Sequence, residues 1–75
     1  MILVTGGAGH LGNVLVRALL DKGEKVRVLV LPGEDISSLE DLECEIVEGN
    51  ILDPDKLSMA MEGVDLVYHM AALVA

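Results

Sequence analysis

The first twelve residues, MILVTGGAGHLG, place a short apolar strand directly before four glycines, and no other stretch constrains the fold as strongly. Residues 2–4 are bulky or branched apolar residues, which suit a strand buried on both faces. Gly7, Gly9 and Gly12 satisfy the G-x-G-x-x-G spacing, and Gly6 precedes them. Such glycines permit positive φ, leave room for a pyrophosphate beside the backbone and let the next helix approach the strand.

A helix that begins at these glycines directs its free N–H groups and the positive end of its dipole at bound phosphates. The alternative interpretation is an ordinary glycine-rich turn. The strand that precedes the glycines and the amphipathic pattern that follows them favour a nucleotide-binding turn.

The rest of the chain alternates apolar strands with helical segments. The predicted strands share branched apolar residues bounded by glycine or proline: residues 2–4, Lys25–Leu31, Cys44–Glu48 and Val64–Met70. The first helix, over residues 11–22, has an apolar face that we predict to contain Leu11, Val14, Leu15, Ala18 and Leu19. Gly23 ends this helix, a short helical turn covers residues 36–42, and Asp53 caps a helix over residues 54–61 that Gly63 ends. Short connections between alternating strands and helices predict a parallel sheet with right-handed crossovers.

Composition restricts the class of protein. A hydrophobic content of 52% with Tyr68 as the one aromatic residue is typical of an α/β interior and not of a disordered chain. Cys44 is the one cysteine, which excludes an internal disulfide and is compatible with a reducing cytoplasm; we predict it to be a small core residue. No apolar run has the length that a bilayer requires, so the sequence predicts a cytoplasmic protein without a membrane partner.

The formal charge of −8 is distributed unevenly. Residues 1–27 carry four bases against two acids, whereas residues 28–75 carry Lys56 against eleven acids. This distribution argues against nucleic acid as a partner. His10, His69 and Cys44 lack the spacing of metal ligands, so no metal site is predicted.

Four blocks together resemble the first half of the extended short-chain dehydrogenase/reductases, within the dihydroflavonol-reductase and NAD-dependent epimerase/dehydratase group. The blocks are VTGGAGHLG, VRALLDKGEKVRVLV, VEGNILDPDKL and GVDLVYHMAA, and the resemblance extends over essentially all 75 residues. The resemblance implies that residues 1–75 are the N-terminal part of an NAD(P)-binding Rossmann domain. Its fold would be a parallel-sheet α/β half-Rossmann unit with strand order 3-2-1-4.

The resemblance also implies which residues bind the cofactor, NAD or NADP. It assigns the pyrophosphate turn to Gly6, Gly7, Gly9 and Gly12, with the backbone of His10 and Leu11 beside it. It places Asn50 and Ile51 along the adenine, and Met70, Ala71 and Ala72 on the ribose and nicotinamide side.

Two positions depart from the family pattern. Leu31 stands where the family has an arginine for the 2′-phosphate of NADP or an aspartate for the 2′-hydroxyl of NAD, so the choice of cofactor stays open. Asn50 replaces the usual carboxylate, and its amide can still accept a hydrogen bond from the adenine amino group.

The family's catalytic tyrosine, with a lysine four residues later, has no counterpart in the chain. Tyr68 is followed four residues on by Ala72, and we predict that it packs near the cofactor edge. No catalytic residue is therefore predicted. The sequence favours the dinucleotide-binding portion of an oxidoreductase or epimerase; the alternatives are a non-catalytic module that binds or senses a dinucleotide, and a truncated product without a function of its own.

The last predicted strand and the tail that follows it are apolar. Without a further strand beside them, strand 4 and residues 71–75 would expose an unpaired edge. The sequence therefore predicts self-association, as a homodimer through strand 4 and the C-terminal tail.

Overall fold

Alternating strands and helices make up the computed structural model, which describes residues 1–6 and 9–70. The strands are β1 (Ile2–Thr5), β2 (Val26–Val30), β3 (Glu45–Glu48) and β4 (Leu66–His69). The helices are α1 (His10–Asp21) and α2 (Pro54–Met61), and a 3₁₀ turn (Ser37–Leu39) precedes β3. These bounds agree with the predicted elements to within two residues at each end, except that the short helical turn is shorter than the segment predicted for it.

The described strands form one parallel sheet in the order β3-β2-β1-β4, which confirms the predicted α/β fold and strand order. Val4 of β1 lies at the centre of the register, opposite Val28 of β2 on one side and Tyr68 of β4 on the other. Every residue of β1 is less than 9% exposed, because helices cover the sheet on both faces. The branched and bulky residues that predicted a fully buried strand therefore occupy one.

Side chains of the central strands alternate between two apolar clusters. The cluster on the α1 face includes Val4, Val28 and Val16, while the cluster on the α2 face contains Leu3, Leu29 and Ala60. This separation follows from the two-residue period of a strand. The sheet therefore lies between α1 on one face and α2 on the other, and the carboxyl ends of its strands lie at the same end of the sheet.

The buried face of α1 differs from the predicted one. Gly12, Val16 and Leu19 are buried, whereas Leu11 is 62% exposed and Val14 is 54% exposed. The prediction was wrong for these two residues and for Ala18, which is also exposed, while Leu15 packs against the cluster in part. Since apolar residues surround most of this helix, periodicity alone did not identify the face that meets the sheet.

The start of α2 is fixed as the sequence predicts. Asp53 is the N-cap, and its Oδ1 accepts hydrogen bonds from the backbone N–H groups of Asp55 at 3.1 Å and Lys56 at 3.3 Å. Pro54 occupies the first helical position, where a missing N–H costs nothing. This cap positions the loop that connects β3 to α2.

Replacing Asp53 with alanine should lower the free energy of unfolding by about 1 kcal/mol, because two backbone donors lose their acceptor. Urea denaturation followed by circular dichroism measures this loss. Asp53→Asn is the matched control: it removes the charge but keeps an oxygen that can accept, so it should retain most of the stability. Equal losses in the two variants would show that the carboxylate charge, and not the cap, stabilises α2.

None of the helices within residues 1–6 and 9–70 has both the length and the apolarity needed to cross a membrane.

Candidate functional site

A cavity of about 570 Å³ lies at the carboxyl ends of the strands. Its lining comes from the segments that follow all four described strands: Gly6 and Gly9 after β1, Leu31 and Glu34 after β2, Asn50 and Ile51 after β3, and Met70 after β4. In open parallel sheets, ligands bind at the carboxyl ends of the strands.

A second cavity, of about 230 Å³, continues from the first toward the start of α1. Gly6, Gly9 and Met70 line both cavities, and the second one is completed by His10, Leu11 and Gly12. We call the two together the strand-end groove. All of the predicted site residues that the structure describes line this groove; Gly7, Ala71 and Ala72 lie outside the described residues.

The glycine turn leaves the groove open at the start of α1. Gly6 has a φ of +75°, which a residue with a side chain rarely adopts, and its carbonyl accepts a 3.2 Å hydrogen bond from Gly9 N. Gly9 is the N-cap of α1, with a φ of −72° that any residue can adopt. A Cβ built on Gly9 would meet Gly6 O at 3.5 Å, an ordinary contact distance. Packing among the described residues therefore does not require glycine at position 9.

The N-terminus of α1 is suited to bind an anion. Gly9 has no side chain to cap the helix, and the first turn carries no acidic residue. The first N–H groups of a helix have no acceptor within it and lie at the positive end of its dipole. These donors lie beside Gly9, where the two cavities meet.

The turn after β2 places the carboxylate of Glu34 in the groove. The sequence alone did not predict this group. Glu34 N donates to Leu31 O at 3.0 Å across the Pro32-Gly33 pair, and the Glu34 side chain folds back so that its Oε1 accepts from Leu31 N at 2.9 Å. The sequence offered no charged group at position 31, but the structure places one at the end of β2. The available signal was the Pro-Gly pair, which predicts a tight turn with residues 31 and 34 in contact.

The loop after β3 is held in place by backbone and side-chain contacts. Gly49 N donates to Val30 O at 2.8 Å, and Asn50 Oδ1 accepts from Leu52 N at 2.9 Å. A Cβ on Gly49 would lie 2.8 Å from Lys56 Cβ, so this glycine allows α2 to pack closely. The Asn50 oxygen that we predicted to bind adenine thus already accepts one hydrogen bond, and its second lone pair can accept another.

Polar groups at the ends of β1 and β4 are paired with each other. Thr5 Oγ1 and His69 Nδ1 lie 2.6 Å apart and share a hydrogen bond, with Thr5 buried at the groove. Tyr68 is half-buried, packs against the cluster on the α1 face and does not line the groove. The prediction that Tyr68 packs is therefore confirmed, but it packs on the α1 face of the sheet and not at the groove, because the alternation of β4 directs its side chain to that face.

Two groups outside the groove have shifted pKa values. Burial raises the pKa of the Cys44 thiol, which packs against the core and stays protonated at neutral pH. Ser37 N donates a hydrogen bond to Asp35 Oδ1 at 3.0 Å, and the Ser37 side chain also hydrogen-bonds this carboxylate. Both contacts hold the pKa of Asp35 below its usual value. No group of three His, Cys, Asp or Glu side chains in residues 1–6 and 9–70 is placed to hold a metal ion.

A third cavity, of about 550 Å³, lies at the opposite end of the sheet. Met1, Gly23 and Glu43 line it, and these residues precede β1, β2 and β3. None of the predicted site residues lines this cavity. The amino ends of parallel strands are not where such sheets bind ligands, so the strand-end groove is the candidate site.

The sequence model of the NmrA-like family matches residues 1–74. Among curated proteins, the chain is 47% identical over 73 residues to sterol demethylase protein B of Methylococcus capsulatus, an alignment that covers 97% of this chain and 22% of that protein. The chain therefore spans about a fifth of the length of this relative.

Solved structures show the same fold. The crystal structure of gox2253 matches with a TM-score of 0.91 and 38% identity, over 99% of this chain and 22% of that chain. A short-chain dehydrogenase/reductase superfamily protein from Agrobacterium tumefaciens, solved with bound NAD, matches with a TM-score of 0.80 and 36% identity, over 100% of this chain and 21% of that one.

Proposed function

Because this chain belongs to the NmrA-like family, we propose that its strand-end groove binds NAD or NADP as the cofactor-binding part of an oxidoreductase or epimerase. The observation that carries this proposal is the groove itself, which combines segments after all four described strands with an uncapped helix N-terminus. The NAD bound to the similar protein from Agrobacterium tumefaciens supports the same ligand class.

The residues of the groove fit a dinucleotide. Gly9 leaves open the space that a side chain would fill, and the first N–H groups of α1 would bind the pyrophosphate beside it. Asn50 and Ile51 would lie along the adenine, and Met70 would lie toward the nicotinamide. When bound, the nicotinamide ring would supply hydride transfer.

The described residues of the groove can bind a dinucleotide, but none of them is placed to catalyse a reaction on it. Its ionisable side chains are Glu34 in the larger cavity and His10 in the smaller one. Glu34 is engaged with Leu31 N, and His10 is exposed at the first position of α1. We therefore assign no catalytic residue among them. We propose oxidoreduction of a hydroxylated small molecule, or its epimerisation through a transient keto intermediate, as the reaction of the protein family and not of these side chains.

Isothermal titration calorimetry with NAD, NADH, NADP and NADPH tests the proposal. We expect at least one of them to bind in a one-to-one complex. Circular dichroism of the same sample establishes that the chain is folded. A folded chain that binds none of the four dinucleotides would overturn the proposed function.

We also propose that the chain self-associates as a homodimer through β4; the C-terminal tail, residues 71–75, which the sequence also predicts to take part, lies outside the described residues. Of the two strands at the edges of the described sheet, β3 carries the exposed acids Glu45 and Glu48, which protect an edge against pairing. The β4 edge instead exposes Leu66 at 47% and Val67 at 40%. A second copy that pairs with β4 across a two-fold axis would cover these side chains.

Leu66→Lys should convert this dimer to a monomer, because each copy would place a charge at the centre of the interface. Light scattering coupled to size-exclusion chromatography measures the mass. Met59→Lys is the matched control, since Met59 is 57% exposed and belongs to α2, not to β4. A wild-type monomer, or a dimer that Leu66→Lys leaves intact, would contradict the proposal.

A further inference from the structure

The turn after β2 places a carboxylate where a Rossmann fold recognises the ribose of the adenosine, and we infer that Glu34 makes the groove select NAD(H) over NADP(H). This inference rests on the proposed dinucleotide function. In such folds, an acidic side chain near the end of the second strand accepts a hydrogen bond from the ribose 2′-hydroxyl. Position 31 holds a leucine here. The carboxylate of Glu34, three residues further along the chain, lies beside the backbone of Leu31.

The carboxylate is held in place by the turn and not only by its own rotamer. Leu31 and Glu34 exchange two hydrogen bonds: Glu34 N donates to Leu31 O at 3.0 Å, and Leu31 N donates to Glu34 Oε1 at 2.9 Å. Pro32 and Gly33 form the centre of the turn, with Gly33 at a φ of +79°. Since a carboxylate has two oxygens, Glu34 can bind Leu31 N through one and a hydroxyl through the other.

The charges around the groove oppose the 2′-phosphate that distinguishes NADP from NAD. Glu34 is the one ionisable side chain among the described residues that line the larger cavity. None of the lysines and arginines of the chain lines either cavity. Residues 7–8 and 71–75 contain no ionisable side chain in the sequence. A 2′-phosphate would therefore meet a carboxylate of the same sign with no lysine or arginine among the described lining residues to pair with, whereas a 2′-hydroxyl would donate to it.

Titration of the wild-type chain with NADH and NADPH, at equal ionic strength, measures the ratio of the two dissociation constants. We expect NADH to bind at least about tenfold more tightly. In Glu34→Gln, the amide oxygen can still accept from Leu31 N while the charge is lost. The ratio should then fall to within about threefold of unity, mainly because NADPH binds more tightly.

The neighbouring carboxylate provides the matched control. Asp35 is exposed, and its Oδ1 accepts from Ser37 N at 3.0 Å, so Asp35→Asn removes the same charge one residue away while keeping that hydrogen bond possible. Its ratio should stay within about twofold of the wild-type ratio. Adenosine 5′-monophosphate and adenosine 2′,5′-bisphosphate should repeat the same pattern, because they contain only the adenosine half of the dinucleotides.

Each of the other outcomes overturns the inference in a distinct way. If both dinucleotides bind and Glu34→Gln leaves the ratio unchanged, Glu34 does not determine specificity, while the proposed function stands. If Asp35→Asn changes the ratio as much as Glu34→Gln, the cause is the overall charge of the turn and not the position of Glu34. If a folded wild-type chain binds neither dinucleotide, the proposed function fails and the inference fails with it.

Discussion

Replacing Gly9 with alanine should weaken dinucleotide binding at least about tenfold, and replacement with valine should weaken it further. The physical reason is the contrast between what the fold and the ligand require at this residue. A Cβ at Gly9 would have an ordinary contact of 3.5 Å with Gly6 O, and its φ of −72° is open to any residue. The added methyl group would instead occupy the groove beside the helix N-terminus, where we place the pyrophosphate.

Calorimetric titration with the preferred dinucleotide measures the affinity, and urea denaturation measures stability. Gly9→Ala should lower the free energy of unfolding by no more than about 1 kcal/mol, the scale of an altered helix cap. Gly23→Ala is the opposite case: at a φ of +81° alanine is strained, so stability should fall by about 1 kcal/mol or more while affinity is unchanged. Undiminished binding by Gly9→Val would show that the pyrophosphate does not lie at this turn.

Replacing Arg27 with methionine should lower the free energy of unfolding by about 2–4 kcal/mol. The side chain of Arg27 is 12% exposed, and its Nη1 donates to Ala60 O at 2.7 Å and Glu62 O at 2.8 Å. The last carbonyls of a helix receive no N–H donor from within it and lie at the negative end of the dipole. Because the last turn of α2 has no basic residue of its own, Arg27 supplies the cation from β2.

The same substitution at Arg17 is the matched control. Arg17 is half exposed and contacts Asn13 Oδ1 at 3.0 Å and Asp41 Oδ1 at 4.0 Å, so Arg17→Met should cost no more than about 1 kcal/mol. If Arg27→Met fails to fold, Arg27→Lys, which keeps the charge but not the two-carbonyl geometry, should show an intermediate loss in the same urea titration. Equal effects at positions 17 and 27 would contradict the assigned role of Arg27.

Arg27 also forms an ion pair through Nε with Glu45 Oε1 at 3.3 Å, without a hydrogen bond at that atom. Glu45 is about half exposed, so this pair adds little to the stability that the two carbonyl contacts provide. The expected loss in Arg27→Met is therefore a loss of contact between β2 and α2.

The resemblance to the extended short-chain dehydrogenase/reductases is confirmed by the family match and by the similar solved structures. The described residues of the predicted site come together in the strand-end groove, and their role in binding stays a prediction that the titrations address. Glu34 was missed because its contribution depends on a side chain that folds back across a turn. A search for charge at the strand's last residue does not detect such a contact.

The sequence by itself determined the elements and their order, because the signals for these are local. Branched apolar runs specify strands, the glycines after β1 specify a turn, and Asp53 with Pro54 specifies the start of α2. Each signal acts within a few residues of the chain. Short connections between such elements leave few topologies open, and the observed parallel order is one of them.

Tertiary structure alone decided which side chains face the sheet and which distant groups meet. Apolar residues surround most of α1, so the buried face was set by contact with the sheet, and Gly12, which has no side chain to hold the helix away, lies on that face. Arg27 meets carbonyls 33 and 35 residues further along the chain. A pattern confined to one segment carries no information about its partner across the sheet, and packing supplies that information only after the segments assemble.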